Sequence, residues 1–267
     1  MKKLSFLAIA FAVIALAACG GKKSAQADEA TDSLKSFEQQ QIEASIKMHM
    51  DSIASELGKL KSLPFLNEGK DGITLTKQEK QVKPDYLLPA NVAEEATTLT
   101  EKYRIMSALS VDKKIAALYE MPTEDYEKAI TKLAADINDP SFKAIEDAGT
   151  IFETTSALYD EMEKNGRINY FWQLASAALV EQLYVCNQNA DKFLSSFNDE
   201  AAANVTFRIV LVLDAVNRLA QYDPDIEPVA QAIAPLNALN ATSVAEMKEQ
   251  MAKMKDQINA ARKALVK

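Results

Sequence analysis

Two cysteines, one histidine, one tryptophan, seven glycines and eight prolines are all that 267 residues contain of those types. With so few cysteines, a disulfide framework is excluded. A single histidine leaves no His-Glu-x-x-His metal motif and no Ser/His/Asp constellation to propose. Sparse glycine provides no phosphate-cradling loop, and sparse glycine and proline amid abundant alanine favour helix. Basic residues are also in deficit, 30 Lys and Arg against 38 Asp and Glu, a formal net charge of −8. An acidic surface argues against nucleic acid and against adhesion to anionic headgroups, which need clustered cations. No apolar run reaches the ~20 residues that a spanning helix needs.

What is present begins with Lys2 and Lys3, an apolar stretch from Leu4 to Ala18 interrupted only by Ser5, and small residues leading into Cys19. This is the pattern of a secretory signal peptide over residues 1–18, which takes no part in the fold. Its removal leaves 28 basic residues against 38 acidic ones. Residues 19–32 are small, polar and aperiodic and read as a flexible tether. Residues 33–267 are expected to form one helical domain, long enough to bury a sizeable core.

Leu16-Ala17-Ala18-Cys19 resembles the lipobox of bacterial lipoproteins. That resemblance implies acylation of Cys19, palmitate included, cleavage before it, and attachment to a lipid bilayer. Two or three chains, at about 0.8 kcal/mol per buried methylene, anchor a protein stably where one does not. Gly20 in place of Asp after the cysteine implies, by the same resemblance, the outer membrane of a Gram-negative envelope.

The periodicity predicts a helix from about Asp32 to Lys61, with Leu34, Phe37, Ile42, Ile46, Met50, Ile53 and Leu57 on one face. From Ser62 to Pro89 the period is lost. That segment is expected to be either a ligand lip or a packed connector whose Phe65, Tyr86, Leu87 and Leu88 plug the core, with Thr76 to Glu79 as a capping box. Helices are then expected over Asn91–Leu109, from Ser110 to Glu120, from Pro122-Thr123 to Ile137, and from Asp139-Pro140 through Met162 to a left-handed cap at Gly166. The most hydrophobic part of the domain is the pair Ile168–Phe193 and Asp199–Tyr222, joined by a short connection and read as an antiparallel hairpin. A final helix opens at Ser243 and carries Met247, Met251, Met254, Ile258, Ala261 and Leu265 as an apolar seam. The expected fold is therefore all-α, a multi-helix bundle around this central hydrophobic hairpin. Over the hairpin the chain resembles the helical lipoproteins of Bacteroidetes, a resemblance that brings no activity with it.

Glu181 stands out as a carboxylate in an apolar helix, costly unless paired. Hairpin register places Arg208 and Arg218 within reach, so a structural Glu–Arg pair or a contact to water is expected there. His49, flanked by Met48 and Met50, has the composition of a soft-metal site, but adjacent helical residues do not face one point, and a histidine at the rim of a helical seam is the favoured reading. The Gly-x-His-x-x-Glu motif of imelysin-type lipoproteins is not matched, because Ser52 stands where the glutamate belongs. Cys186 and the methionines of the last helix read as core. The expectation is a non-catalytic envelope lipoprotein without a metal or other cofactor, binding or scaffolding an envelope protein. The alternative is a carrier of a small apolar ligand or peptide in a groove between helices. Lipidation is assigned to Cys19, and candidate contacts are Glu181, Arg208, Arg218 and His49.

Overall fold

A computed structural model describes residues 44–69, 72–145 and 155–266. The stretches expected to be signal peptide, lipobox and tether, Cys19 among them, and the expected start of the first helix at Asp32 lie outside the described residues, while the described residues from Ser45 onward form one compact unit. Eleven helices follow one another with no strand among the described residues: α1 (44–58), α2 (Lys77–Gln81), α3 (Leu99–Leu118), α4 (Glu124–Ile137), α5 (Thr155–Lys164), α6 (Ile168–Gln188), α7 (Ala190–Leu194), α8 (Asp199–Leu219), α9 (Glu227–Ile233), α10 (Val244–Lys253) and α11 (Lys255–Val266). The fold is an all-α bundle. No described helix is long and apolar enough to cross a membrane.

The core is organised around α6, whose residues from Phe171 to Leu183 are buried without interruption. Its most extensive neighbour is α3, with α11, α5 and α8 also against it. Phe171 and Trp172 meet edge to face at 5.0 Å, and the Tyr159 ring closes on both. Fully burying each such side chain contributes about 1.5–3 kcal/mol, so this end of α6 is a main source of stability.

Helix ends follow the local chemistry. Thr76 and Thr98 each accept the backbone N–H three residues on, while Glu79 and Glu101 return the bond to the cap. At Ser243 the hydroxyl accepts from Glu246 N–H, but the Glu246 carboxylate reaches back one residue further, to the N–H and hydroxyl of Thr242. Gly166 ends α5 at φ +67°, with Arg167 N–H bonded to Met162 carbonyl at 2.7 Å.

Five expected boundaries are corrected. The helix expected from Asn91 starts at Leu99, after a 3₁₀ segment Ala90–Glu94, and the one expected over Ile168–Phe193 ends at Gln188, with α7 following as a separate turn. Ser110 does not start a helix: it lies inside α3 and returns its hydroxyl to the Met106 carbonyl at 2.8 Å, satisfying itself without breaking the helix. Asp139-Pro140 opens a 3₁₀ segment, Pro140–Ile145, and the helix that reaches Gly166 starts only at Thr155 within the described residues. The seam from Val244 to Leu265 is split between α10 and α11 at Met254, although its members from Met247 to Leu265 remain buried and Val244 is half-buried.

The irregular stretch between α1 and α3 is packed. Phe65 is wholly buried, 5.1 Å from the Phe193 ring and 6.2 Å from Phe197. Leu63, Leu66, Ile73, Leu75 and Leu88 are buried with it, and Tyr86 and Leu87 pack against the core from its edge. Gly72 lets the chain turn back on itself: a Cβ there would fall 2.1 Å from the Asn67 carbonyl oxygen.

Candidate functional site

Three ionisable residues from three helices meet beneath this strap. Glu181 projects from the centre of α6 with no exposed surface, Asp112 from α3 likewise, and Arg262 from α11 with its side chain 15% exposed. Each sits at an apolar register position. Asp112 falls in step with Ile105, Ala108, Leu109, Ile115 and Ala116, and Arg262 lies beside Ile258, Ala261 and Leu265.

The Arg262 guanidinium forks onto Glu181. Its Nε lies 3.0 and 2.9 Å from the two carboxylate oxygens, and a terminal nitrogen lies 2.8 Å from Oε1. That nitrogen also donates to the Tyr86 carbonyl at 3.3 Å and approaches Asp112 Oδ2 to 4.0 Å. The guanidinium carbon stands 3.8 Å from the centre of the Tyr184 ring. Asp112 Oδ2 accepts the Leu88 N–H at 2.8 Å, and the Leu88 carbonyl accepts from the Tyr126 hydroxyl at 2.8 Å.

Asp112 Oδ1, fully buried, meets no donor. The neighbouring Glu181 carboxylate also carries no donor, so a proton on one member of the pair would supply the missing bond between them. Burial, and then the neighbouring Glu181 carboxylate, pushes Asp112 well above the carboxylate range. Burial pushes Glu181 upward too, but the bonds from Arg262 and from Asp112 favour its charged form. Asp112 is thus the acid pushed further toward its neutral form, and Glu181 the one that Arg262 holds toward its anion. The cluster is closed to bulk water except at the rim of Arg262.

At that rim lies a groove of about 400 Å³ between α6 and α11, lined by Tyr184, Gln188, Lys255, Asn259, Arg262 and Lys263. Lys255, Asn259 and Lys263 repeat at four-residue steps along α11, and Tyr184 and Gln188 repeat likewise on α6, so each helix presents one face to the space.

The expected Glu181 pairing is corrected. Neither Arg208 nor Arg218 reaches Glu181. Arg208 is wholly buried in α8 and donates to the Lys61 carbonyl at 2.8 Å, and burial lowers its guanidinium to about 10. Arg218 bonds Asp214 one turn away at 2.8 Å. The hairpin argument considered only the two helices adjacent in sequence, whereas the partner comes from the far end of the chain. His49 and Arg218, singled out separately, do meet through a shared residue: His49 Nε2 lies 2.8 Å from Asp214 Oδ2. Met48 is exposed and Met50 lies in the core, so the residues flanking His49 point to opposite environments. Among the described residues no group of three or more His, Cys, Asp or Glu could hold a metal ion. Cys186 is buried and burial raises its thiol, while Met247, Met251 and Met254 are core.

Sequence reasoning missed Asp112 and Arg262. The signal was there, since each interrupts an apolar stripe in register, as Glu181 does. Lys113-Lys114 beside Asp112 gives it the look of a solvated charge run. No protein-family model, no curated protein and no solved structure matches the chain.

Proposed function

We propose that the protein is a lipid-anchored, non-catalytic binding or scaffold module of the bacterial envelope, held by acylated Cys19 and presenting the groove between α6 and α11 as its recognition surface. The observation that supports this reading is the way Arg262 is fixed. Both Glu181 oxygens bond it, the Tyr184 ring backs it, and burial pushes the neighbouring Asp112 carboxyl toward its neutral form. The carboxyl groups are thereby occupied with one another beneath the surface, and their effect outside is to hold one face of a groove rigid. A carrier of an apolar ligand has less support, since this groove is lined by cations, amides and one tyrosine.

Two measurements test the reading. Cells fed an alkyne-tagged palmitate should label the wild-type protein and not Cys19→Ala, and the variant should leave the membrane fraction. A photo-crosslinking residue at Gln188 should give a discrete adduct in intact cells, while the same residue at exposed Met48 on α1, which does not line the groove, should not. Equal labelling of both anchor forms would refute the anchor, and identical adduct patterns from the two positions would refute the groove.

A further inference from the structure

We propose that the groove between α6 and α11 contains a subsite for a small hydroxylated dianion, a dicarboxylate or a phosphate ester, with Lys255 and Lys263 as its cationic ends and Asn259 between them. The proposal rests on the reading that this groove is the recognition surface, and it adds the chemical class of the occupant.

The first argument is electrostatic. In an acidic chain most surface lysines lie against carboxylates; nearby, Lys248 reaches Asp191, Lys253 reaches Glu249 and Lys192 reaches Glu79. Lys255 and Lys263 have no such partner among the described residues, and no carboxylate lines the groove. Glu181 could neutralise them only through Arg262, which already holds both of its oxygens. Two uncompensated ammonium groups thus border a space whose third cation is balanced from below. That arrangement favours two negative charges.

The second argument is spatial. Eight residues separate the lysines, about 12 Å along a helix at 1.5 Å per residue. One face carries Lys255, Asn259 and Lys263 in line, and the long lysine side chains can swing inward from both ends onto the negative charges of one small molecule seated beside Asn259. The volume, about 400 Å³, lies in the range of small-molecule sites.

The third is an unmet hydrogen bond. Asn259 Oδ1 is buried within this row and has no donor. A buried amide oxygen left without a donor costs free energy, and rotation of the terminal amide toward the groove would let a ligand hydroxyl supply that donor. This distinguishes a hydroxylated dianion from a plain one.

Calorimetric titration of the purified domain at low ionic strength tests it, with malate, succinate and glycerol 3-phosphate as probes. Saturable binding of malate or glycerol 3-phosphate is expected, weakened at least tenfold in Lys255→Gln/Lys263→Gln and unaffected in the control Lys59→Gln/Lys61→Gln. Whichever of the two binds identifies the anionic group as carboxylate or phosphate. Malate should exceed succinate, and Asn259→Ala should abolish that preference. No saturable binding of either hydroxylated probe at millimolar concentration would overturn the proposal, as would equal loss in the control variant. Both substitutions lie on exposed side chains, so folding is retained and is checked by circular dichroism. If titration fails while the Gln188 crosslink persists, the groove stands and the dianion falls; if the crosslink fails while titration succeeds, the scaffold reading falls alone.

Discussion

Arg262 and Glu181, 81 residues apart, share three nitrogen-to-oxygen contacts of 2.8 to 3.0 Å, and this fork ties the last helix of the chain to the centre of its most buried one. Glu181 has no exposed surface, so its charge is tolerated only because the fork is complete.

Truncating Arg262 to alanine should therefore destabilise the domain by about 3–5 kcal/mol, since it strands a buried anion. Glu181→Gln should cost less, because Arg262 retains contact with solvent and the Tyr86 carbonyl. Glu181→Met combined with Arg262→Met should lie closer to wild type than Arg262→Ala alone, because the pair is replaced by packing atoms. Urea unfolding of the set, with unchanged slope, measures the three values.

Asp112 makes stability depend on pH in a defined direction. The unfolded aspartic acid titrates near 3.9, whereas burial beside Glu181 keeps the folded one protonated well above that. Below about pH 4 both states carry the proton and it contributes no slope. Above about pH 4 the unfolded chain releases it first, so stability falls by up to about 1.4 kcal/mol per pH unit until the folded state releases its own. Asp112→Asn should flatten this decline. Urea midpoints from pH 4 to pH 8 for both proteins check it, and parallel curves would refute the shared proton.

Gly72→Ala should destabilise by about 1–3 kcal/mol through overpacking, because its Cβ would meet the backbone oxygens of Asn67 and Pro64 at 2.1 and 2.9 Å, atoms that cannot swing aside. Gly58→Ala faces only the Ser156 hydroxyl at 2.1 Å, a side-chain atom that can rotate, and should cost less. Thermal unfolding of the two variants ranks them.

His49 and Asp214 bond at 2.8 Å, but both side chains are more than one-third exposed. A double-mutant cycle with alanine at each position should give a coupling below about 1 kcal/mol at neutral pH. A larger value would mark this contact between α1 and α8 as a structural latch.

Thr98 caps α3, the helix that delivers Asp112, and Thr98→Ala should cost about 1 kcal/mol in urea unfolding.

Sequence by itself determined the helical class, because few glycines and prolines and three- and four-residue apolar spacing leave the chain no other regular structure. It determined local events whose partners lie within a turn: the Thr76 cap, the Gly166 terminus and the burial of the helix carrying Glu181. It also marked Glu181 as a residue in need of a partner. Only the tertiary structure decided that the partner is Arg262 and not Arg208 or Arg218, that Asp112 joins them, and that Leu88 and Tyr86 close the site from an aperiodic strap. Those choices depend on which helices pack side by side across 81 and more residues, whereas periodicity reports only that a face is covered.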